Sequence, residues 1–289
     1  MTTIQKNGPK VTVIIPHWNG IEVLEPCLRS LEATRYNHLE IVVVDNASSD
    51  DSVAFVQREF PGVKVIQNSE NLGFAGGCNV GLREIESEYY LVLNNDTTHD
   101  SDWISPLVEQ METDANIAAV QPKIMSAQNP EVFDYAGGVG GLMDILAFPY
   151  ALGRIFTTTE KDDGYYDTPR DIFWASGTAL LIRGAALEDV GLFDEDFFAH
   201  MEEIDLCWRF HNAGWRVVNA PKSRIFHHSG WTLPPDRYQK KYLNHRNNLM
   251  MIVKNYPFAY LAAILPARLA LEGVAFVFSA LIRDWKRMA

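Results

Sequence analysis

Tyr89-Tyr90-Leu91-Val92-Leu93-Asn94-Asn95-Asp96-Thr97 is the stretch on which the fold turns. Five apolar, aromatic-rich residues read as a buried strand, and the polar run after them reads as its exit loop. Ligands of open α/β sheets bind just beyond the carboxyl ends of the strands. A carboxylate flanked by amides at such an end suits a hard cation such as Mg²⁺ or Mn²⁺, which takes oxygen ligands and shares them with substrate phosphates. Asn and Asp are also ordinary turn formers, so Asn94, Asn95 and Asp96 alone fit a plain loop equally well. The chemistry at the other strand ends decides between the two.

Working outward, the same unit repeats. Val11 to Pro16 is a β-branched run stopped by proline, the profile of a buried parallel strand. Ile21 to Ala33 has helical apolar spacing at Leu24, Leu28 and Leu31. Leu39 to Val44 is a second strand, with Asp45 to Asp50 as exit loop and helix cap. Val53 to Phe60 is helical, Val63 to Ile66 a third strand, and the glycine-rich Asn68 to Asn79 enters a helix ending near Glu86. This alternation predicts an α/β fold with a mostly parallel central sheet flanked by helices. Asp45 is placed to accept hydrogen bonds from a base or ribose. The Gly73 to Gly77 loop brings backbone N–H groups to a helix N-terminus, a natural anion position. It matches neither G-x-x-x-x-G-K-[ST] nor G-x-G-x-x-G, which argues against an ATPase and a dinucleotide site.

Length and charge narrow the class. The 289 residues suit one large α/β domain or two small ones, and the formal net charge of −12 excludes a general nucleic-acid binder. Cys27, Cys78 and Cys207 are widely spaced, which fits a reducing cytoplasm rather than a disulfide framework or zinc site. Met1 to Lys10 lacks the apolar core of a secretion signal.

Four motifs in order then become specific: Val13-Ile14-Ile15-Pro16-x-x-Asn19-Gly20; Val44-Asp45-Asn46-x-Ser48-x-Asp50; Asn71-Leu72-Gly73-Phe74-Ala75-Gly76-Gly77-x-Asn79; and Leu93-Asn94-Asn95-Asp96. Together they resemble glycosyltransferase family 2, in particular its rhamnosyltransferase-like bacterial branch, over roughly residues 11 to 250. The resemblance implies a GT-A fold with a Rossmann-like nucleotide half (about 10–121) and an acceptor half (about 122–256). It places the donor nucleotide on Pro16, Asn19, Asp45, Asn71, Gly76, Asn79, Asn94 and Asn95, and the divalent cation on Asp96. Asn94 stands where the family's D-x-D motif has its first Asp.

A second cluster lies downstream. Phe173 to Ile182 returns to strand character, and it carries Trp174, Ser176 and Gly177, the candidate acceptor contacts. Val190 to Phe198 leads into His200-Met201-Glu202-Glu203-Ile204-Asp205. Glu202 and Asp205, three apart on a helix, share a face that Glu203 does not. Acids in a first helical turn also have a purely structural account, because they favour the helix dipole. This segment resembles the family's second hallmark, G-x-F-D-E-x-F-F followed by an acidic pair whose second member is the general base. That role falls on Glu203, where the family usually has Asp, so Glu202 and Asp205 stay open as alternatives. A carboxylate is what the chemistry needs, since an acceptor hydroxyl attacks well only when its proton has somewhere to go.

Trp215 to Val218 and Ser223 to Phe226 read as two further short strands, followed by His227 and His228. The resemblance gives His227 to the metal and diphosphate site. In the helix containing Tyr242 to Asn248, Arg246 is the candidate phosphate contact, because guanidinium binds phosphate bidentately. Residues from about 126 to 170 have no periodicity and read as an insertion shaping the acceptor pocket or, nearly as well, as a poorly ordered surface excursion. From Pro257 to Ala289 the chain is apolar but interrupted by Pro266, Arg268 and Glu272. Its longest unbroken run, Gly273 to Ile282, is short of the roughly 20 residues that span a bilayer. With Arg283, Lys286 and Arg287 following, the expectation is an amphipathic tail, residues 257–289, lying on a membrane or packed on protein.

The expected activity is a metal-dependent, inverting transfer from a nucleotide-sugar donor, dTDP-rhamnose or a UDP-hexose. The acceptor would be a cell-surface polysaccharide or lipid-diphosphate-linked glycan, in the cytoplasm or peripherally at the inner face of the membrane, with homo-oligomers left open. Two other readings compete. A sugar-nucleotide pyrophosphorylase would want a glycine-rich basic signature that His17-Trp18-Asn19-Gly20 lacks, and a catalytically silent scaffold would not need the full set of polar positions.

Overall fold

The computed structural model describes residues 8–228 and 238–281. Strand and helix alternate as β1 (Val11–His17), α1 (Ile21–Glu32), β2 (Leu39–Asp45), α2 (Ser52–Glu59), β3 (Lys64–Gln67), α3 (Gly73–Glu84), β4 (Tyr89–Leu93), β5 (Thr97–His99), α4 (Ile104–Glu112) and β6 (Ile117–Ser126). Four short strands follow: β7 (Gly141–Met143), β8 (Pro149–Ala151), β9 (Arg154–Ile155) and β10 (Thr158–Thr159). The chain continues with β11 (Ala179–Arg183), α5 (Gly184–Val190), α6 (Glu202–Asn212), β12 (Arg216–His227), α7 (Tyr238–Asn255) and α8 (Phe258–Leu281).

One eight-stranded sheet carries the order β3-β2-β1-β4-β11-β6-β12-β5. It is parallel from β3 to β4, as the alternation predicts, and mixed beyond, where β11 runs antiparallel to both β4 and β6. Alternate side chains of β1, Val13 and Ile15 on one side and Ile14 on the other, enter two separate buried clusters, so the sheet is covered on both faces.

Three elements differ from the sequence reading. The apolar run Ile117 to Val120 predicts a short strand, but β6 extends past it through the buried polar Gln121 and Lys123. Gln121 is satisfied by Gly137 O and Ser176 N, and Lys123 by Asp162 and Asp167, so polar residues sit inside a strand that a search for apolar runs ends too soon. The two short strands expected at 215–226 are one strand, β12, whose register shifts between Ala220 and Arg224. Pro221 lies in that irregularity, where a missing N–H costs the ladder nothing. Residues 173–178, read as strand, form a loop, and only Ala179–Arg183 pairs in the sheet.

The aperiodic 126–170 segment is ordered by its own small cluster of Met125, Phe133, Val139 and Tyr166. It is also joined to the loop before β11, where Gly141 N donates to Trp174 O at 3.0 Å. The tail departs most. Helix α8 is continuous through Pro266, and Phe258–Phe278 is a 21-residue segment of mean hydropathy 1.8, long and apolar enough to cross a membrane by length and composition. Counting unbroken runs missed this because Arg268 and Glu272, one turn apart, pair with each other at 2.9 Å and turn inward onto α7. The basic residues Arg283, Lys286 and Arg287 lie outside the described residues.

Gly73 opens α3 in the left-handed region at φ +70°, and a Cβ there would stand 2.4 Å from the backbone oxygen of Phe198. Gly73→Ala should therefore destabilise the fold by about 1–3 kcal/mol. Thermal unfolding reads this directly, and an unchanged Tm would contradict it.

Candidate active site

The carboxyl ends of the parallel strands bring the first group together. His17 ends β1 and stands in register with Asp45, which ends β2. Asp45 is buried, accepts from Ser48 N at 3.1 Å through Oδ2, and leaves Oδ1 buried without a partner. Asn19 closes the rim over it. Its Oδ1 accepts from Ser49 N at 2.7 Å while its own N–H donates to Ser48 Oγ at 2.9 Å, zipping the two strand-exit loops together. Asn95 is buried and donates to His17 Nδ1 at 2.8 Å, which puts the ring proton of His17 on Nε2. That nitrogen is also buried without a partner, and burial lowers the pKa of His17 despite the charge of Asp45, so the ring is neutral.

Strand β5 carries the next residue across the sheet. It pairs with β12 so that Thr97 faces His227, and Asp96 O accepts from His228 N at 2.8 Å. The consequence is a buried row of three side chains. Asp96 Oδ1 lies 3.1 Å from His227 Nε2, and His227 Nδ1 lies 2.9 Å from Asp134 Oδ1. Burial alone would lower the His227 pKa, but the bonds to Asp134 and Asp96 outweigh it and hold the ring at about 10. A positive charge is thus at home between these carboxylates. Asp96 and His227, once that imidazole gives up a proton, would be the residues to hold a divalent cation, with Asp134 fixing the ring. Among the described residues no three or more His, Cys, Asp or Glu form a metal cage.

The third group sits under the loop before β11. Asn94 N donates to Thr178 O at 3.0 Å, tying the β4 exit to that loop. Gly177 lies against Phe74 and Glu203, its Cβ position 3.8 Å from Glu203 Cβ. Glu203 is half-buried with Oε2 enclosed and unpartnered, whereas Glu202 and Asp205 are buried on the other side of α6, as their spacing predicts. Burial raises the carboxyl of Glu203, opposed by the amides of Glu203, Ile204, Gly177 and Met201. Burial, then the neighbouring Glu203 charge, raises Glu202 further.

Several expected contacts have structural duties instead. Asp205 is engaged by Arg209 at 2.9 Å, Lys254 at 2.9 Å and Asn255 at 2.8 Å. Asn79 is fully buried and bonds Phe193 and Glu195, latching α3 to that loop rather than facing a donor. Gly76 makes room for Leu72, whose Cβ lies 2.6 Å from the position of an added Cβ. Asn71 caps Gly73 N at 2.9 Å. The anion position expected at the start of α3 is taken, because Phe74 N and Ala75 N donate to Phe198 O at 2.7 and 3.2 Å. Arg246 spends Nη2 on the carbonyls of Asp196 and Phe197 rather than on a phosphate position. Pro16 lies beside Gly77 inside the sheet edge, its Cβ 3.1 Å from an added Cβ there. Of the acceptor candidates, Trp174 is buried with Nε1 on Leu142 O, and Ser176 is buried and bonds Gln121 and Thr178, leaving Gly177 as the one against Glu203.

Sequence reasoning missed Asp134, His17 and Asn46. Asn46 links α3 to β3, donating to Gly73 O and accepting from Asn68 Nδ2, both at 2.9 Å. His17 could have been found from its place after a strand-ending proline; Asp134 sits in an aperiodic segment and carries no local signal.

The sequence profile of glycosyl transferase family 2 matches residues 12–169, more than half of the chain. The chain belongs to glycosyl transferase family 2. A family relative, the N-acetylglucosaminyl-diphospho-decaprenol L-rhamnosyltransferase of Mycobacterium tuberculosis, is 24% identical over 281 residues, covering 91% of this chain and 92% of that one. Two solved structures share the fold. GalNAc-T7 with UDP, GalNAc and Mn²⁺ superposes with a TM-score of 0.67 at 18% identity, covering 86% of this chain and 48% of that one. A mannosyltransferase from Pyrobaculum calidifontis with GDP-Man and Mn²⁺ gives 0.61 at 17% identity, covering 98% and 84%. The fold is GT-A and the protein is a glycosyltransferase, as the four ordered motifs led one to expect.

Proposed function

We propose that this glycosyltransferase moves a sugar from a nucleotide donor, dTDP-rhamnose first and a UDP-hexose second, onto a lipid-diphosphate-linked glycan. The observation that carries the reading is the alignment of Asp45, Asp96 with His227, and Glu203 along one edge of the sheet. Asp45, with its buried, unpartnered Oδ1, receives the nucleoside. Asp96 and His227 would hold a divalent cation. Such an ion stabilises the negative charge that develops on a departing nucleoside diphosphate. Glu203 accepts the proton of the acceptor hydroxyl as its oxygen bonds to the anomeric carbon and the bond from that carbon to the diphosphate breaks. A single displacement of this kind inverts the anomeric configuration. The rhamnosyl and lipid-linked parts rest on the mycobacterial relative, matched along nearly its whole length. The test is transfer of labelled sugar from dTDP-rhamnose, UDP-GlcNAc and UDP-glucose to polyprenyl-diphosphate-GlcNAc. Product from dTDP-rhamnose supports the reading, product only from a UDP-sugar corrects the donor, and no product from any overturns it.

The proposed division is a catalytic domain through residue 256 and a tail beyond it that meets the inner face of the membrane. Its support is the exposure of Val274, Phe276, Val277, Phe278 and Leu281 on α8, while Arg268 is fixed to the catalytic domain by Asn248 at 2.7 Å and lies over the Phe148 ring. That docked side favours a helix lying on the membrane over one crossing it. Flotation with phosphatidylglycerol vesicles should carry the whole chain to the lipid fraction, and removal of residues 258–289 should leave it at the bottom. A truncated protein that still floats would refute the tail's role.

A further inference from the structure

The residues leading into the base-bearing helix are in a conformation that their side chains disfavour. Phe198, His200 and Met201 all have positive φ, at 62°, 69° and 74°, and none is glycine. This loop holds two parts of the site in relation to each other. Its Phe198 carbonyl caps the N-terminus of α3, and its Met201 amide is among those facing the Glu203 carboxyl.

Two neighbouring side chains of α7 oppose its relaxation. Asn247, fully buried on α7, shares the two hydrogens of Nδ2 among three carbonyls of the loop: Phe197 at 3.0 Å, Ala199 at 2.9 Å and His200 at 2.6 Å. Its orientation is not ambiguous. Arg246 Nε, which can only donate, bonds Asn247 Oδ1 at 2.9 Å, so the amide nitrogen must face the carbonyls. Arg246 Nη2 adds bonds to Asp196 O at 2.7 Å and Phe197 O at 3.1 Å.

We propose that Asn247, oriented by Arg246, is a positioning residue that clamps the left-handed 197–201 loop and thereby aims Glu203 at the acceptor hydroxyl. It rests on the reading of Glu203 as base. The clamp touches neither the Asp45 rim nor the Asp96–His227 row, so its loss should misplace the base and spare the donor.

The experiment compares Asn247→Ala and the isosteric Asn247→Asp, whose carboxylate would face three carbonyls, with wild type. UDP and dTDP binding with Mn²⁺ is followed by calorimetry, and kcat by sugar transfer. Both variants should bind nucleotide like wild type, which also shows that they are folded, while kcat falls by about 10²-fold, the cost of a displacement near 1 Å at the reacting atoms. Unchanged kcat in either folded variant overturns the clamp. So does parallel loss of binding and turnover in Asn247→Asp, the arm that decides should Asn247→Ala fail to fold. Glu203→Gln is measured beside them: if it turns over, the base reading fails, which is a separate outcome from failure of the clamp.

Discussion

Glu203→Gln abolishes sugar transfer while leaving nucleotide binding intact: kcat falls by about 10²–10⁴-fold, the usual worth of a positioned general base. Gln keeps the size of the side chain and can still meet the Gly177 loop, but it cannot accept a proton. Of the three acids at the start of α6, only Glu203 combines partial exposure with a place under Gly177. Asp205 is locked by two cations and an amide, and Glu202 is buried. The pH profile supplies an independent reading. Burial raises the Glu203 pKa above its ordinary value, and the base works only when ionised, so the acidic limb of the kcat profile should lie above the usual glutamate range. The charged and titratable groups around it, Glu202 and Cys207, are respectively a raised acid and a thiol pushed up to about 12, so neither supplies a competing proton acceptor at that pH. Substantial turnover by the Gln variant would move the base to Glu202.

Asp96→Ala should remove metal-dependent donor binding and, with it, turnover. The carboxylate is buried at the junction of β4 and β5, 3.1 Å from His227, and Ala would remove that carboxylate from the row. Asp134→Asn separates ligand from support. It keeps the shape around His227 Nδ1 but weakens the orientation of the ring, which should cost about 10–100-fold in metal affinity without abolishing it. Full activity in Asp96→Ala would refute the metal role.

The halves of the molecule differed in legibility for a physical reason. From β1 to β4 each element is local: a β-branched run, an exit loop, an apolar stripe at helical spacing. Asp45 and Asp96 are therefore legible at strand ends, and helical spacing alone sets Glu203 apart from Glu202 and Asp205. Beyond residue 120, long-range pairing takes over. Lys123 is buried because Asp162 and Asp167 reach it from 39 and 44 residues away. Asp134 acquires its role through His227, 93 residues on. Nothing in the neighbourhood of either residue announces such a partner. Asn79 and Arg246 show the opposite: their motifs are legible, but the partners the structure gives them belong to this chain, Phe193 and Glu195 for Asn79 and the carbonyls of Asp196 and Phe197 for Arg246. A polar residue in a motif shows that a partner is needed, and only the fold shows whether that partner is ligand or protein.

The most direct test of the central claim is calorimetric titration of the wild-type protein and Asp96→Ala with UDP and dTDP, each with and without Mn²⁺. The strand-end site predicts that wild type binds one of the two nucleotides only when Mn²⁺ is present and that Asp96→Ala binds neither. Binding by wild type that ignores the metal, or equal binding by the variant, would contradict it.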